Sequence, residues 1–171
     1  MHAFMDESRR SDYMICAVLV GSGELADARK ALKELRAPRS SRIHMSQDSR
    51  RAATIVRGVL SLGLRAELQM VELVGQPERS ARDAALAAMA VRLDDLGVRQ
   101  LWIESCGQDR RDREVLRNAL DSASGSGFPY RHTGGGDEPL LWLPDVIAWA
   151  YGKGGQFRRE VKDMVTVREV R

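Results

Sequence analysis

Apolar and polar positions along the chain set out the order of elements before any other property is needed. An apolar run, 3–5, climbs to Asp6 and Glu7, polar residues follow to Asp12, and residues 13–20 are apolar throughout. Two strands joined by the loop from Ser8 to Asp12 fit this pattern; the loop has hairpin length, so the strands are expected to be antiparallel neighbours. The second is apolar on both faces, as a central strand covered on both sides would be. Leu25, Ala28, Leu32 and Leu35 then fall on one helical stripe that Pro38 stops. Ser46 is the expected N-cap of the next helix, which ends at Gly63. A strand over 64–74, an alanine-rich helix from Glu78 to Gly97, a strand over 98–105 and a helix over 112–124 come next. A short strand over 128–133, a glycine-rich loop and an apolar helix with Pro144 in its first turns complete the series. The tail, 163–170, has the composition of an edge strand but lies outside that count. About five strands and five helices alternating after an opening hairpin predict one α/β domain over 1–171. Its sheet should be mixed, antiparallel in the hairpin and parallel where helices cross over.

Composition narrows the class. With 43% hydrophobic and 30% charged residues the chain resembles a folded globular protein. No apolar run is long enough for a bilayer, and no basic-then-apolar leader precedes the first strand. Cys16 and Cys106 offer neither a disulfide framework nor metal-ligand spacing. A reducing cytoplasm is the expected location, with no membrane partner. Net charge is only +3, but Arg36, Arg39, Arg42, Arg50, Arg51 and Arg57 face a single acid, Asp48. Guanidinium forks match phosphate geometry, so a nucleic-acid partner is one meaning; a solvated face is the commoner one.

Three acids stand in otherwise apolar surroundings: Asp6 after "AFM", Glu104 ending "QLWIE", and Asp145 in "LLWLPDVIAWA". Period-two alternation puts Phe4 and Asp6 on one strand face, with Met5 and Glu7 on the other, and pairs Trp102 with Glu104. Two of the acids end predicted strands, the edge where α/β sheets build their sites. If they converge, three carboxylates suit one or two Mg²⁺ or Mn²⁺ ions, which polarise a phosphoryl oxygen and activate water. Each acid also has a plainer reading: Asp6 as a turn former, Glu104 as a solvated strand end, Asp145 as a first-turn helix acid.

The stretches "FMDES", "RIHMS", "LWIES" and "PLLWLPDVIAWAYGKGG" together resemble the bacterial family known as domain of unknown function 3800, of the ribonuclease H-like superfamily. The likeness covers Phe4 to about Gln156, with the motifs in the family's order. It implies a ribonuclease H-like fold, a central mixed five-stranded sheet flanked by helices. It also implies metal-binding acids at Asp6, Glu104 and Asp145, with Glu7, Ser8 and His44 brought in by their motifs. Arg9 stands where the family usually has glycine.

The leading expectation is a divalent-metal-dependent phosphodiesterase, a nuclease acting on RNA or DNA. Asp6, Glu104 and Asp145 would hold the metal, His44 or Glu7 would assist, and Arg9, Arg10 and Arg42 would contact the phosphate backbone. Two alternatives stand beside it. One is a non-catalytic nucleic-acid- or protein-binding module on the same fold, as a homo-oligomer or the partner protein of a bacterial system. The other is a hydrolase of a small phosphorylated metabolite. Among secondary candidates, Asp109 reads as an N-cap, Cys106 as a small buried thiol, and Trp102, Trp142 and Trp149 as core. "HTGGGDE" lacks P-loop spacing; that loop, with His132, is expected to be mobile near the site.

Overall fold

A computed structural model of the chain describes residues 1–9, 12–75, 77–123, 125 and 127–170. Six strands form one sheet: β1 (His2–Arg9), β2 (Asp12–Val20), β3 (Arg65–Glu72), β4 (Gln100–Glu104), β5 (Tyr130–Thr133) and β6 (Val165–Glu169). Their spatial order is β5-β4-β1-β2-β3-β6. β2 runs antiparallel to both neighbours, and every other pairing is parallel. The helices are α1 (Leu25–Leu35), α2 (Met45–Asp48), α3 (Ala52–Leu60), α4 (Glu78–Asp95), α5 (Asp109–Asp121), α6 (Trp142–Lys153) and α7 (Gly155–Val161). None is long and apolar enough to cross a membrane among the described residues.

Four expectations need correction. The sheet has six strands rather than five, because the tail pairs in parallel with β3, Ala66 opposite Val165 and Met70 opposite Glu169. β2 and β3 are antiparallel rather than parallel. Two packed helices, α1 and α3, lie in their connection; one carries the chain away from the strand end it left and the other brings it back. The expected hairpin loop is mostly strand: Glu7 pairs with Ile15, Ser8 with Met14 and Arg9 with Tyr13. Finally, the helix expected to be capped by Ser46 is broken. It runs as α2, a 3₁₀ turn over Ser49–Arg51 and then α3, and its N-cap position is His44.

Each sheet face has its own core. Phe4, Met14, Cys16, Val18 and Val20 pack with α1, α3 and α6 on one side. Ala3, Met5, Tyr13, Ile15, Ala17 and Leu19 pack with α4 and α5 on the other. β2 therefore buries side chains on both faces, which is why its sequence shows no alternation. Each Leu, Ile, Val or Phe buried in these layers contributes about 1.5–3 kcal/mol of transfer free energy. The same alternation sends Asp6 to the α6 side and Glu7 to the α4 side of one strand, separating two adjacent acids into different environments.

Candidate functional site

β1 and β4 are parallel neighbours with Phe4 opposite Trp102 and Met5 opposite Ile103, a register that brings Asp6 level with Glu104 at the carboxyl edge. The Phe4 and Trp102 rings stack beneath them, centroids 6.0 Å apart. α6 lies across β1 and β2 and brings Asp145 over the same edge from its first turn. The electrostatics register this convergence. Burial first, then the charges of Glu104, Asp145 and Glu7, push the Asp6 carboxyl up to about 8, against a hydrogen bond from the Glu7 amide that lowers it. Across the hairpin, burial and the Asp6 charge also push the Cys16 thiol well above its ordinary range.

Each of the three acids has one oxygen engaged. Asp6 Oδ1 accepts from the Glu7 amide at 2.7 Å. Glu104 Oε1 accepts from Arg42 Nη1. Asp145 Oδ2 accepts from the Met45 amide at 2.8 Å and lies 3.1 Å from His44 Nδ1. Among the described residues, Asp6 Oδ2, Glu104 Oε2 and Asp145 Oδ1 take no hydrogen bond. The Met45 amide is a first-turn donor of α2 with no partner inside its own helix, and Asp145 supplies one from across the core. Asp145→Asn, which keeps an acceptor there, should therefore melt near wild type, whereas Asp145→Ala should lose about 1 kcal/mol in a denaturant titration, the ordinary cost of a missing cap.

The glycine loop before α6 is anchored. Gly134 O accepts the Asp137 amide at 2.9 Å, the Trp142 indole donates to Gly135 O, and Arg29 of α1 forks onto Glu138 at 2.8–3.2 Å. These bonds tie the loop, expected to be mobile, to the edge that carries the acids. Gly135 lies close against the pair: a Cβ there would lie 2.6 Å from both Arg42 Nη1 and Glu104 Oε1, so any larger residue would push these side-chain ends aside.

Other expected residues are placed elsewhere. Glu7 is on the opposite face, where Arg82 donates to it at 2.8 Å and the Tyr13 hydroxyl also donates to it. Arg9 pairs with Glu78 at 2.7 Å on the surface, and Arg10 lies outside the described residues. Of the arginines between 36 and 57, Arg42 reaches the acids, while Arg51 and Arg57 donate to the Leu35 and Ala53 carbonyls. His132 lies in β5, within the strand expected over 128–133 rather than in the glycine loop, and its Nε2 is 3.2 Å from Asp112. Cys106 is exposed, not buried. Asp109 is the first residue of α5 after N-cap Gln108, and it reaches back to the Cys106 amide at 2.8 Å.

A network that the sequence did not announce sits behind Glu7. Arg82 of α4 forks onto Asp112 of α5, with its Nη2 to Oδ2 bond 3.0 Å long and its Nη2 3.5 Å from Cys106 Sγ. Burial pushes the Asp112 carboxyl up, but hydrogen bonds from His132 and Arg82 outweigh it and hold the group below the usual carboxylate range. The signal for this hub was period: Arg82 falls on the buried stripe with Ala81, Ala85 and Leu86.

Two donor sets could hold a cation. Among the described residues the ligand atoms of Cys106, Asp109 and Asp112 all lie within 4.8 Å of one another; the Asp6–Glu104–Asp145 trio is not drawn together that far. Asp112 already serves Arg82 and His132, just as Glu104 serves Arg42 and Asp145 serves His44, so each set meets an internal counter-charge. The trio offers three carboxylates, each with one oxygen free of hydrogen bonds among the described residues. No protein-family model matches the chain, and no curated protein matches it either.

Proposed function

We propose that the chain is a divalent-metal-dependent phosphodiesterase, a nuclease, with Asp6, Glu104 and Asp145 as ligands of one or two Mg²⁺ or Mn²⁺ ions. The observation that carries the reading is the placement of acids from β1, β4 and α6 at one carboxyl edge, near enough that the charges of Glu104 and Asp145 add to burial in raising the Asp6 carboxyl. Such an ion supplies Lewis acidity toward a phosphoryl oxygen and a water of lowered pKa. The chain's own residues do the rest. His44, 3.1 Å from Asp145, is within reach to relay a proton at the edge. Arg42, partly exposed and bonded to Glu104 through Nη1 alone, can turn its remaining donors to a phosphate. Phe4 and Trp102 form the apolar floor, with the Arg131 guanidinium 4.4 Å over the indole.

The resemblance to the domain of unknown function 3800 family and to ribonuclease H-like folds belongs to this reading. A strand order of β3-β2-β1-β4-β5 with β2 alone reversed and acids on the first strand, the fourth strand and a late helix support it. A cytoplasmic location is part of the same proposal.

One observation favours a second reading, a binding module without turnover. Arg42 and His44 already serve as partners for Glu104 and Asp145, so the edge has an internal counter-charge. Labelled RNA, DNA and hybrid strands incubated with Mg²⁺ or Mn²⁺ separate the two. Cleavage that EDTA stops supports the nuclease; binding without cleavage, unaffected by either metal, supports the module.

A further inference from the structure

The carboxyl edge also opens on the opposite face of the sheet. There the first turns of α4 and α5 border a groove of about 650 Å³ whose walls carry Arg79, Arg82, Arg110 and Arg111 against Glu78 and Glu114. Two of these guanidinium groups are committed, Arg82 to Glu7 and Asp112 and Arg111 to Asp83. The other two face outward. Arg79 is exposed and has no partner among the described residues. Arg110 is 93% exposed and touches Glu114 only at 3.8 Å.

We propose that this groove carries the phosphodiester backbone of a single nucleic-acid strand, held by Arg79 and Arg110, beside the Asp6–Glu104–Asp145 site; the proposal rests on the nuclease reading. Two features argue for it. The groove shares a wall with the acids: Arg82 also lines a narrow cavity of about 100 Å³ with Asp6, Glu7, Glu104 and Cys106. A chain lying over the carboxylates therefore reaches the arginines by crossing one side chain. Two of the lining guanidinium groups, Arg79 and Arg110, are exposed and not tied into the ion-pair network that holds Arg82 and Arg111. An acidic peptide is the competing polyanion, since a guanidinium fork matches carboxylate and phosphate alike, and the poly-glutamate arm of the test separates the two.

The test is fluorescence anisotropy of a labelled single-stranded oligonucleotide with the full chain, in EDTA, across a salt titration. Arg79→Glu with Arg110→Glu should weaken binding by at least about tenfold. It should also lower the slope of log affinity against log salt by about 1.4, from roughly 0.7 per lost phosphate contact on single strands. Arg79→Gln with Arg110→Gln should move both readouts the same way by less. Arg159→Glu, on α7, should move neither. Unchanged affinity and slope in the Arg79 and Arg110 variants would overturn the proposal, as would equal displacement of the strand by poly-glutamate at matched charge. Because binding is read without metal, a failed hydrolysis assay leaves this result intact.

Discussion

Asp6→Asn should raise the melting temperature of the metal-free protein at pH 8 while removing metal-dependent hydrolysis. The two effects share one cause. Burial and the facing charges of Glu104, Asp145 and Glu7 raise the Asp6 carboxyl from 3.8 to about 8; Arg42 and His44 sit on Glu104 and Asp145, not on Asp6. Between those two values the folded chain keeps a proton that the unfolded chain has released. Stability from this group is thus fully present below about pH 4 and falls as pH rises, by at most about 1.4 kcal/mol per unit, to a floor near pH 8. Asparagine does not titrate, and its amide oxygen can still accept from the Glu7 amide. The variant's advantage should be absent near pH 4 and should grow to on the order of 10 °C by pH 8, at roughly 2–4 °C per kcal/mol for a chain of this size. Hydrolysis should fall by more than the 10–100-fold that loss of a group merely supporting a metal ligand costs. The same proton makes metal binding pH-dependent: an ion must displace it, so affinity should strengthen up to about pH 8. A variant that melts lower than wild type at pH 8 would show that Asp6 is ionised and paired instead.

Arg82→Met should be the most destabilising single change outside the aliphatic core. The Arg82 side chain is 5% exposed and the Asp112 side chain 0%, so truncation leaves Asp112 buried with only His132, and Glu7 with only the Tyr13 hydroxyl. Breaking such a pair costs roughly 3–5 kcal/mol, or on the order of 10 °C. The sign with pH is opposite to that of Asp6. Asp112 titrates below its ordinary value, so the pair's contribution is present above about pH 4 and is lost in acid. The loss in Arg82→Met should accordingly shrink as pH falls through that range. Adding Asp112→Leu should recover much of the loss, because an apolar replacement of both partners removes the uncompensated charge. Urea titrations of the single and double variants measure all three values; equal stabilities would place the network's energy elsewhere.

What the sequence made legible follows from period and spacing. Alternation in "HAFMDES" separated Asp6 from Glu7 by face, and the structure keeps that separation. Two-sided burial of β2 could be read from an unbroken apolar run. What was hidden was long-range. The reversal of β3 depends on two helices packing against each other within one connection. The cap on Met45 comes from Asp145, 100 residues away, which is why Ser46 looked like the nearer choice. Gly135 could be seen as a glycine but not as the one pressed against Glu104. Arg82 and Asp112 sit on separate helices, and their pairing needs the sheet to bring α4 and α5 together. Cys106 followed an apolar strand, but the chain turns outward there before α5 and exposes the thiol.

A crystal soaked in Mn²⁺ and read by anomalous scattering asks the decisive question most directly. The account requires a peak within about 2.0–2.4 Å of oxygens from Asp6, Glu104 and Asp145. A peak confined to Cys106, Asp109 and Asp112, or an edge that stays closed by Arg42 and His44 at saturating Mn²⁺, would contradict it.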